Sequence, residues 1–334
     1  MPKKVAVLPG DGIGPEIVSS AVAVINTLVS DIELINGDFG YECYKRTGEA
    51  LPRITMDLID ECDAILIGSI DNHDEDKLFR NPLADIKKRL DLFAEVRTVS
   101  KIVPDLGIIG DIDATFIMEN DEGMFNVSEL DELDGATLMK RVSYSGSKRI
   151  CQYARSLMES KGEDHITCVH KADMYKLTDG LFLNTFREVM SDSGLNYDDM
   201  KADEMASFIM SNPRDVNYIV SVSPYCDILS EEAASLSGGT HLIPTGIIGE
   251  KKALFKPLHG ANRLLEGLNI VNPTAALLSA AMMLDYLDYK DEADILRESI
   301  RSAYKRGYRT PDTGGDTGTY DFTTQVVKIC ESSQ

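Results

Sequence analysis

The sequence has no CxxC pair and no Cys/His cluster of zinc-binding spacing; its six cysteines, at positions 43, 62, 151, 168, 226 and 330, lie far apart. This excludes a zinc ribbon or a paired-thiol redox motif, and reads as reduced thiols in the core of a cytoplasmic protein. Long hydrophobic runs are missing too, since none reaches the ~18 residues of a membrane-spanning helix. Met1-Pro2-Lys3-Lys4 leads straight into a strand-like Val5–Leu8, so neither a signal peptide nor a span is expected. Basic residues are in short supply: 34 Lys and Arg stand against 55 Asp and Glu, for a net charge of -21. That balance argues against a bare nucleic-acid surface and for high solubility. Internal repeats and low-complexity linkers are absent as well.

What is present is a chain of 334 residues with an ordinary 43% of hydrophobic residues, long enough for two domains or for one domain with a large insertion. Strand-like runs at 64–67, 115–117, 166–169 and 217–222 alternate with helix-like segments at 54–61, 147–160 and 181–191. This alternation predicts α/β architecture with a largely parallel core. Asn272-Pro273-Thr274 opens an Ala/Leu/Met-rich helix to about Tyr286, and a charged amphipathic helix follows from about Asp291 to Arg306. Residues 119–145 are acidic with few helix signals, and suit an antiparallel excursion or arm.

Three stretches carry candidate chemistry. Pro9-Gly10-Asp11-Gly12-Ile13-Gly14-Pro15-Glu16 reads as a glycine-rich turn between a strand and a helix running to about Val29. Such a turn can present backbone amides to a phosphate or carboxylate, or can be a plain tight connection. Its glycines run GxGxGP, which is not the dinucleotide fingerprint GxGxxG. The acidic loop Asp71 to Asp76 either chelates a cation or is a solvated charge run. In Ser223 to Ala234, Asp227 and Glu231 stand four apart and share a helix face. They are either first-turn acids that complement the helix dipole, with Asp227 as a cap, or ligands of a divalent metal.

Four segments, LPGDGIGPE from Leu8, VHKAD followed by KLTDG from Val169 to Gly180, DILSEEA from Asp227, and PLHG from Pro257 with Asn272-Pro273, resemble the isocitrate, isopropylmalate and homoisocitrate dehydrogenase family in order and spacing. The segment Gly307 to Gly315 fits as well. The resemblance implies an isopropylmalate-dehydrogenase-like α/β fold, not a Rossmann fold, with residues 1–97 plus 245–334 in one domain. Residues 98–244 would form the second, with a dimer-forming arm and the catalytic Lys and Asp. It implies NAD(P)- and divalent-metal-dependent oxidative decarboxylation of a 3-carboxy-2-hydroxy acid, with Mg²⁺ or Mn²⁺, in a homodimer with shared active sites or a higher or hetero-oligomer.

Residue by residue, the resemblance assigns Lys171 as the catalytic lysine and Asp203 as the carboxylate that reaches across the dimer. Asp203, Asp227 and Glu231, the last in place of an aspartate, become metal ligands. Arg97 and Lys87 become substrate-binding residues, Lys87 in place of an arginine. His259, Gly260, Asn272 and Ile13 fall on the cofactor side. A basic lysine would take the hydroxyl proton where burial or a neighbouring cation lowers its pKa.

Departures from the family pattern concern recognition. Met118 occupies an arginine position, Phe125 that of a proton-donating tyrosine, and Leu264 that of the aspartate which binds the ribose hydroxyls in NAD-dependent members. Gly68 to Asp71 lacks the usual nicotinamide-side pattern. Three readings stay open: an active dehydrogenase with altered substrate recognition, a non-catalytic or regulatory paralogue partnering an active subunit, and a dehydrogenase that oxidises without efficient decarboxylation. Tyr144, Tyr175 and Tyr225 lie near motif residues as alternative hydroxyls.

Overall fold

Val5–Leu8 form the buried centre of strand β1 (Lys3–Gly10), and the glycine-rich turn passes the chain into helix α1 (Gly14–Leu28) with Pro15 in its first turn. At Gly12, φ is +56° and an added Cβ would stand 2.1 Å from the Ala261 carbonyl oxygen, so this close approach requires glycine. The structure, a computed structural model, describes residues 2–72, 76, 78–108 and 110–333. His73, Asp74 and Glu75 of the acidic loop lie outside the described residues.

The chain continues through β2 (Ile32–Asn36), α2 (Tyr41–Thr47), α3 (Arg53–Glu61), β3 (Ala64–Ser69) and α4 (Leu83–Arg89). Strands β4 (Ala94–Ser100) and β5 (Asp113–Glu119) pair antiparallel along their whole length. The acidic stretch after β5 holds β6 (Gly123–Glu132) and β7 (Gly135–Arg141), an antiparallel ribbon. Next come α5 (Tyr144–Lys161), β8 (His165–His170), α6 (Thr178–Ser191), β9 (Asn196–Lys201), α7 (Ala202–Ser211), β10 (Tyr218–Ser221) and α8 (Tyr225–Ser237). The last part supplies β11 (Pro244–Ile248), β12 (Ala253–Pro257), α9 (Thr274–Tyr286), α10 (Lys290–Lys305) and α11 (Thr319–Ser333).

Two compact units result, one of residues 1–90, 101–106 and 238–334, the other of residues 91–100 and 107–237. The sequence boundaries of 97 and 245 differ by a few residues, because the ladder with β5 keeps all of β4 in the second unit.

In the first unit the strand order is β2-β1-β3-β12-β11, parallel except for the β11/β12 pair. Helix α9 is apolar all round and buried on nearly every side, as a central helix should be. In the second unit the order is β4-β5-β10-β8-β9, parallel from β5 onward. Register aligns Met118, Ser221 and Val169 in adjacent strands, so the loops after β5, β10 and β8 gather at one carboxyl edge. Open α/β sheets bind ligands at that edge. All six cysteines are free and buried, and no helix among the described residues is long and apolar enough to cross a membrane.

Candidate functional site

Helix α8 begins after Ser221, whose hydroxyl accepts from the Cys226 amide at 3.0 Å, and carries Asp227 in its first turn and Glu231 one turn later. Between these carboxylates lies Arg97 of β4. Its Nη2 donates to Asp227 Oδ1 at 2.7 Å, and its Nη1 stands 3.9 Å from Glu231 Oε1. Nη1 also donates to Ser230 Oγ at 3.0 Å, while Nε and Nη2 both reach Glu95 Oε1, at 3.0 and 2.7 Å. Arg97 is only 6% exposed. Burial works against its charge, yet Glu95 and Asp227 outweigh that and hold its pKa above the ordinary arginine value. Asp227 is therefore inside the helix rather than its cap, and a guanidinium relieves the repulsion between the two carboxylates. Among the described residues no group of three acidic, His or Cys side chains is gathered as a metal cage.

At the next strand end, His170 Nε2 faces Asp199 of β9 at 3.2 Å while its Nδ1 accepts from the Ala172 amide at 3.0 Å, fixing the turn that presents Lys171. Lys171 Nζ meets Asp203 Oδ1 at 2.6 Å. The hydrogen bond to Asp203, outweighing desolvation, raises the lysine's pKa above its ordinary value. The condition under which a lysine would be tuned downward is not met, because its main partner is the acidic Asp203.

The Lys171 main chain is anchored by Asp179, a fully buried carboxylate in the first turn of α6. Its Oδ2 accepts from the Lys171 amide at 3.0 Å and from the Tyr225 hydroxyl at 2.7 Å, and its Oδ1 from Lys140 Nζ at 3.0 Å. The Lys140 ammonium also lies 5.2 Å from the Tyr175 ring centroid and 5.8 Å from that of Tyr225. Of the three tyrosines singled out by sequence, Tyr225 thus ties α8 to the Lys171 turn, while Tyr144 donates to Glu188 on the surface. Asp179, Lys140 and Glu95 were missed. The KLTDG motif contained Asp179, but nothing in sequence spacing pairs it with a hairpin lysine.

The cofactor-side candidates lie in the first unit. The Ile13 amide donates to the Ala261 carbonyl at 2.8 Å, and the amides of Asp11 and Gly14 are also bonded internally. The glycine turn thus gives these amides to its own packing. Asn272 is buried; its amide nitrogen bonds Tyr304 Oη at 3.0 Å and Asp312 Oδ2 at 3.1 Å, and its Oδ1 accepts from the Thr274 amide at the start of α9. His259 Nδ1 lies 3.1 Å from the Gly260 carbonyl oxygen, and its buried Nε2 has no hydrogen-bond partner among the described residues. Desolvation pushes the imidazole down to about 4, so it is neutral near pH 7. Gly260 is exposed with open space where a Cβ would stand. Lys87 sits half-buried in the last turn of α4.

At the departures, Met118 is fully buried and Phe125 is 43% exposed on β6. Leu264 is 89% exposed beside Arg263, which ion-pairs with Asp71 and Glu42.

The second unit is thus a largely parallel α/β unit with a lysine and paired carboxylates at its carboxyl edge. Residues 4–328 match the sequence family "Isocitrate/isopropylmalate dehydrogenase", and the chain belongs to that family. It is 36% identical over 98% of its length to the 3-isopropylmalate dehydrogenase of Methanothermobacter thermautotrophicus, 98% of which is covered. It is 35% identical to the homoisocitrate dehydrogenase of Methanocaldococcus jannaschii, with 97% of this chain and 96% of that one covered. Among solved structures, the isocitrate dehydrogenase of Methylococcus capsulatus superposes with a TM-score of 0.92 at 28% identity, covering 98% of this chain and 99% of that one. The fold is the isocitrate/isopropylmalate dehydrogenase fold, and the relatives are dehydrogenases.

Proposed function

We propose that the protein is an NAD(P)- and divalent-metal-dependent dehydrogenase that oxidises and decarboxylates a 3-carboxy-2-hydroxy acid, with substrate recognition altered from the family pattern. The observation that carries this reading is the Asp227/Glu231 pair on one face of α8 with Arg97 between the carboxylates.

The two carboxylates are hard oxygen donors, partly exposed, and suit Mg²⁺ or Mn²⁺. They form part of a ligand set, which Asp203, exposed on α7, completes from a second copy of the chain. A bound divalent ion supplies Lewis-acid stabilisation of the developing alkoxide and enolate. Arg97 steers the substrate at that edge; Lys87, on α4 of the first unit, is the other substrate-binding candidate. Lys171 receives the hydroxyl proton once its Asp203 partner is engaged elsewhere, and Asp179 holds the Lys171 main chain in place meanwhile. The orphaned Nε2 of His259 and the open Gly260 backbone fit a polar dinucleotide edge, while Ile13 and Asn272 brace the surrounding loops. The exposed Leu264 offers no carboxylate to ribose hydroxyls, which leaves NAD and NADP both as candidates. The β6/β7 ribbon, with Leu130 and Met139 each 51% exposed, serves as the dimer arm in a cytoplasmic homodimer.

The test is turnover of isocitrate, homoisocitrate and isopropylmalate by the purified protein with Mg²⁺ or Mn²⁺ and either nicotinamide cofactor. Reduced cofactor and released carbon dioxide are expected. The exposed Phe125 in place of a phenol favours a second reading, a non-catalytic subunit, which predicts no reduced cofactor with any of the three. Oxidation without carbon dioxide would instead place the defect at the proton-donating step.

A further inference from the structure

Along the β6/β7 ribbon every residue from Ser128 to Met139 is exposed, and the ribbon becomes half-buried at the cross-strand pair of Val127 and Lys140. An isolated two-stranded ribbon is marginal in water, so its place on the second unit depends on what holds this root. The Lys140 side chain is 13% exposed and carries its ammonium to Asp179 Oδ1, at 3.0 Å. Asp179 is a fully buried carboxylate that accepts from four groups: Lys140 Nζ and Thr178 Oγ1 at Oδ1, the Lys171 amide and the Tyr225 hydroxyl at Oδ2. These fill the roughly four acceptor positions of a carboxylate, and of the four donors only Lys140 brings a positive charge. The main chain closes the same turn: the Tyr175 amide donates to the Lys171 carbonyl at 2.8 Å, and the Asp179 amide to the Tyr175 carbonyl at 3.0 Å. Ribbon, Lys171 turn and the first turn of α8 thus meet at one buried charge.

We infer that Lys140 is a positioning residue for the reaction: standing at the root of the ribbon, it sets, through Asp179, the turn that presents Lys171. The inference rests on the proposed function above, in which Lys171 receives the hydroxyl proton, and adds the residue that holds it ready. Without the ammonium, Asp179 keeps an uncompensated charge in a buried site, a state that costs far more than the ion pair contributes. The carboxylate then shifts to find water, and the Lys171 amide and the Tyr225 hydroxyl lose their common acceptor. A one-residue slip of β7 would turn Lys140 to the opposite face, so the seat also depends on the ribbon's register.

The experiment takes the full chain as wild type, Lys140→Met and Lys140→Arg, with two readouts. The first is kcat and KM for whichever of isocitrate, homoisocitrate and isopropylmalate the wild type turns over with Mg²⁺ or Mn²⁺ and either nicotinamide cofactor. Lys140→Met should lower kcat roughly a hundredfold while KM changes less than about threefold, and Lys140→Arg, which keeps the charge, should recover most of kcat. The second needs no activity: the rate at which acetic anhydride acetylates Lys171, with the exposed Lys305 of the first unit as internal standard, read by peptide mass spectrometry. A turn that no longer holds Lys171 against Asp203 should be labelled about fivefold faster in Lys140→Met, and at the wild-type rate in Lys140→Arg. Equal losses of kcat in both variants, or a rise in labelling shared by Lys305, would make Lys140 merely structural and overturn the inference, as would unchanged kcat with unchanged labelling. Should wild type turn over none of the substrates, the proposed function fails and the labelling alone decides: a rise confined to Lys171 sustains the inference, and no rise overturns it. Should Lys140→Met not fold, Lys140→Gln, which keeps a donor toward Asp179 without the charge, is read in the same way.

Discussion

At the scale of single residues, ionisation separates groups of similar appearance in the sequence. His170 ends one apolar strand and His259 follows another, yet His170 has partners on both ring nitrogens while the buried Nε2 of His259 has none among the described residues. The folded His259 pKa of about 4 lies below the ordinary 6.5, so its contribution to stability is complete above 6.5 and is lost as pH falls toward 4. His259→Gln should therefore lose less stability than wild type between neutral pH and the range near 4, by about 2 kcal/mol in urea melts at the two values. Equal losses would show that the imidazole is not desolvated. For Lys171 the shift is upward and owed first to Asp203. In Asp203→Asn the lysine should titrate at lower pH, read from its side-chain resonance in an NMR pH series; an unmoved titration would contradict the ion pair. Motif order put Lys171, Asp203, Asp227 and Arg97 forward as candidates. Glu95 was not among them, because a buried acid and an exposed one have the same letter, and only the β4/β5 register brings it against Arg97.

At the scale of elements, helices with strong apolar faces and the acidic antiparallel ribbon of β6 and β7 were visible, whereas the polar strand β9 was not. Helix α9 runs from Thr274 to Tyr286, as anticipated from Asn272-Pro273-Thr274. Strand β9, Asn-Tyr-Asp-Asp-Met-Lys, has no apolar alternation; it is a strand only because β8 offers it a parallel partner from His165 to His170. The start of α9 depends on Asn272, whose amide group bonds Tyr304, Asp312 and the Thr274 amide inside the core. Asn272→Ala removes a terminal bond and takes one partner each from the buried Tyr304 phenol and from the Asp312 carboxylate, so roughly 2 kcal/mol of stability should be lost in urea denaturation. A negligible loss would mean that Asn272 is held for a ligand rather than for the helix.

At the scale of the whole molecule, a net charge of -21 and the paired carboxylates of α8 make cations natural partners. Mn²⁺ at about a hundred times its dissociation constant should raise the melting temperature by roughly 5 °C. Asp227→Asn should abolish that rise, whereas a rise that survives in the variant would place the ion elsewhere on the acidic surface. The chain forms two units, each with its own strand order and core, and the α8 carboxylates belong to the second. The break at residues 90–91 has no glycine or proline to mark it, since it lies just before β4 joins its antiparallel partner.

The sequence alone determined the α/β class, the family and the antiparallel ribbon, and put forward the lysine and carboxylates of the candidate site, because apolar period, turn chemistry and motif spacing are local properties of the chain. Tertiary structure decided the charge state and partners of those residues. Arg97 is buried against Glu95 and Asp227, Lys171 is held as an ammonium by Asp203, and Asp179 gathers Lys140, Tyr225 and the Lys171 amide. Those facts depend on burial and on strand register, which bring together residues more than a hundred positions apart, and no local pattern encodes them.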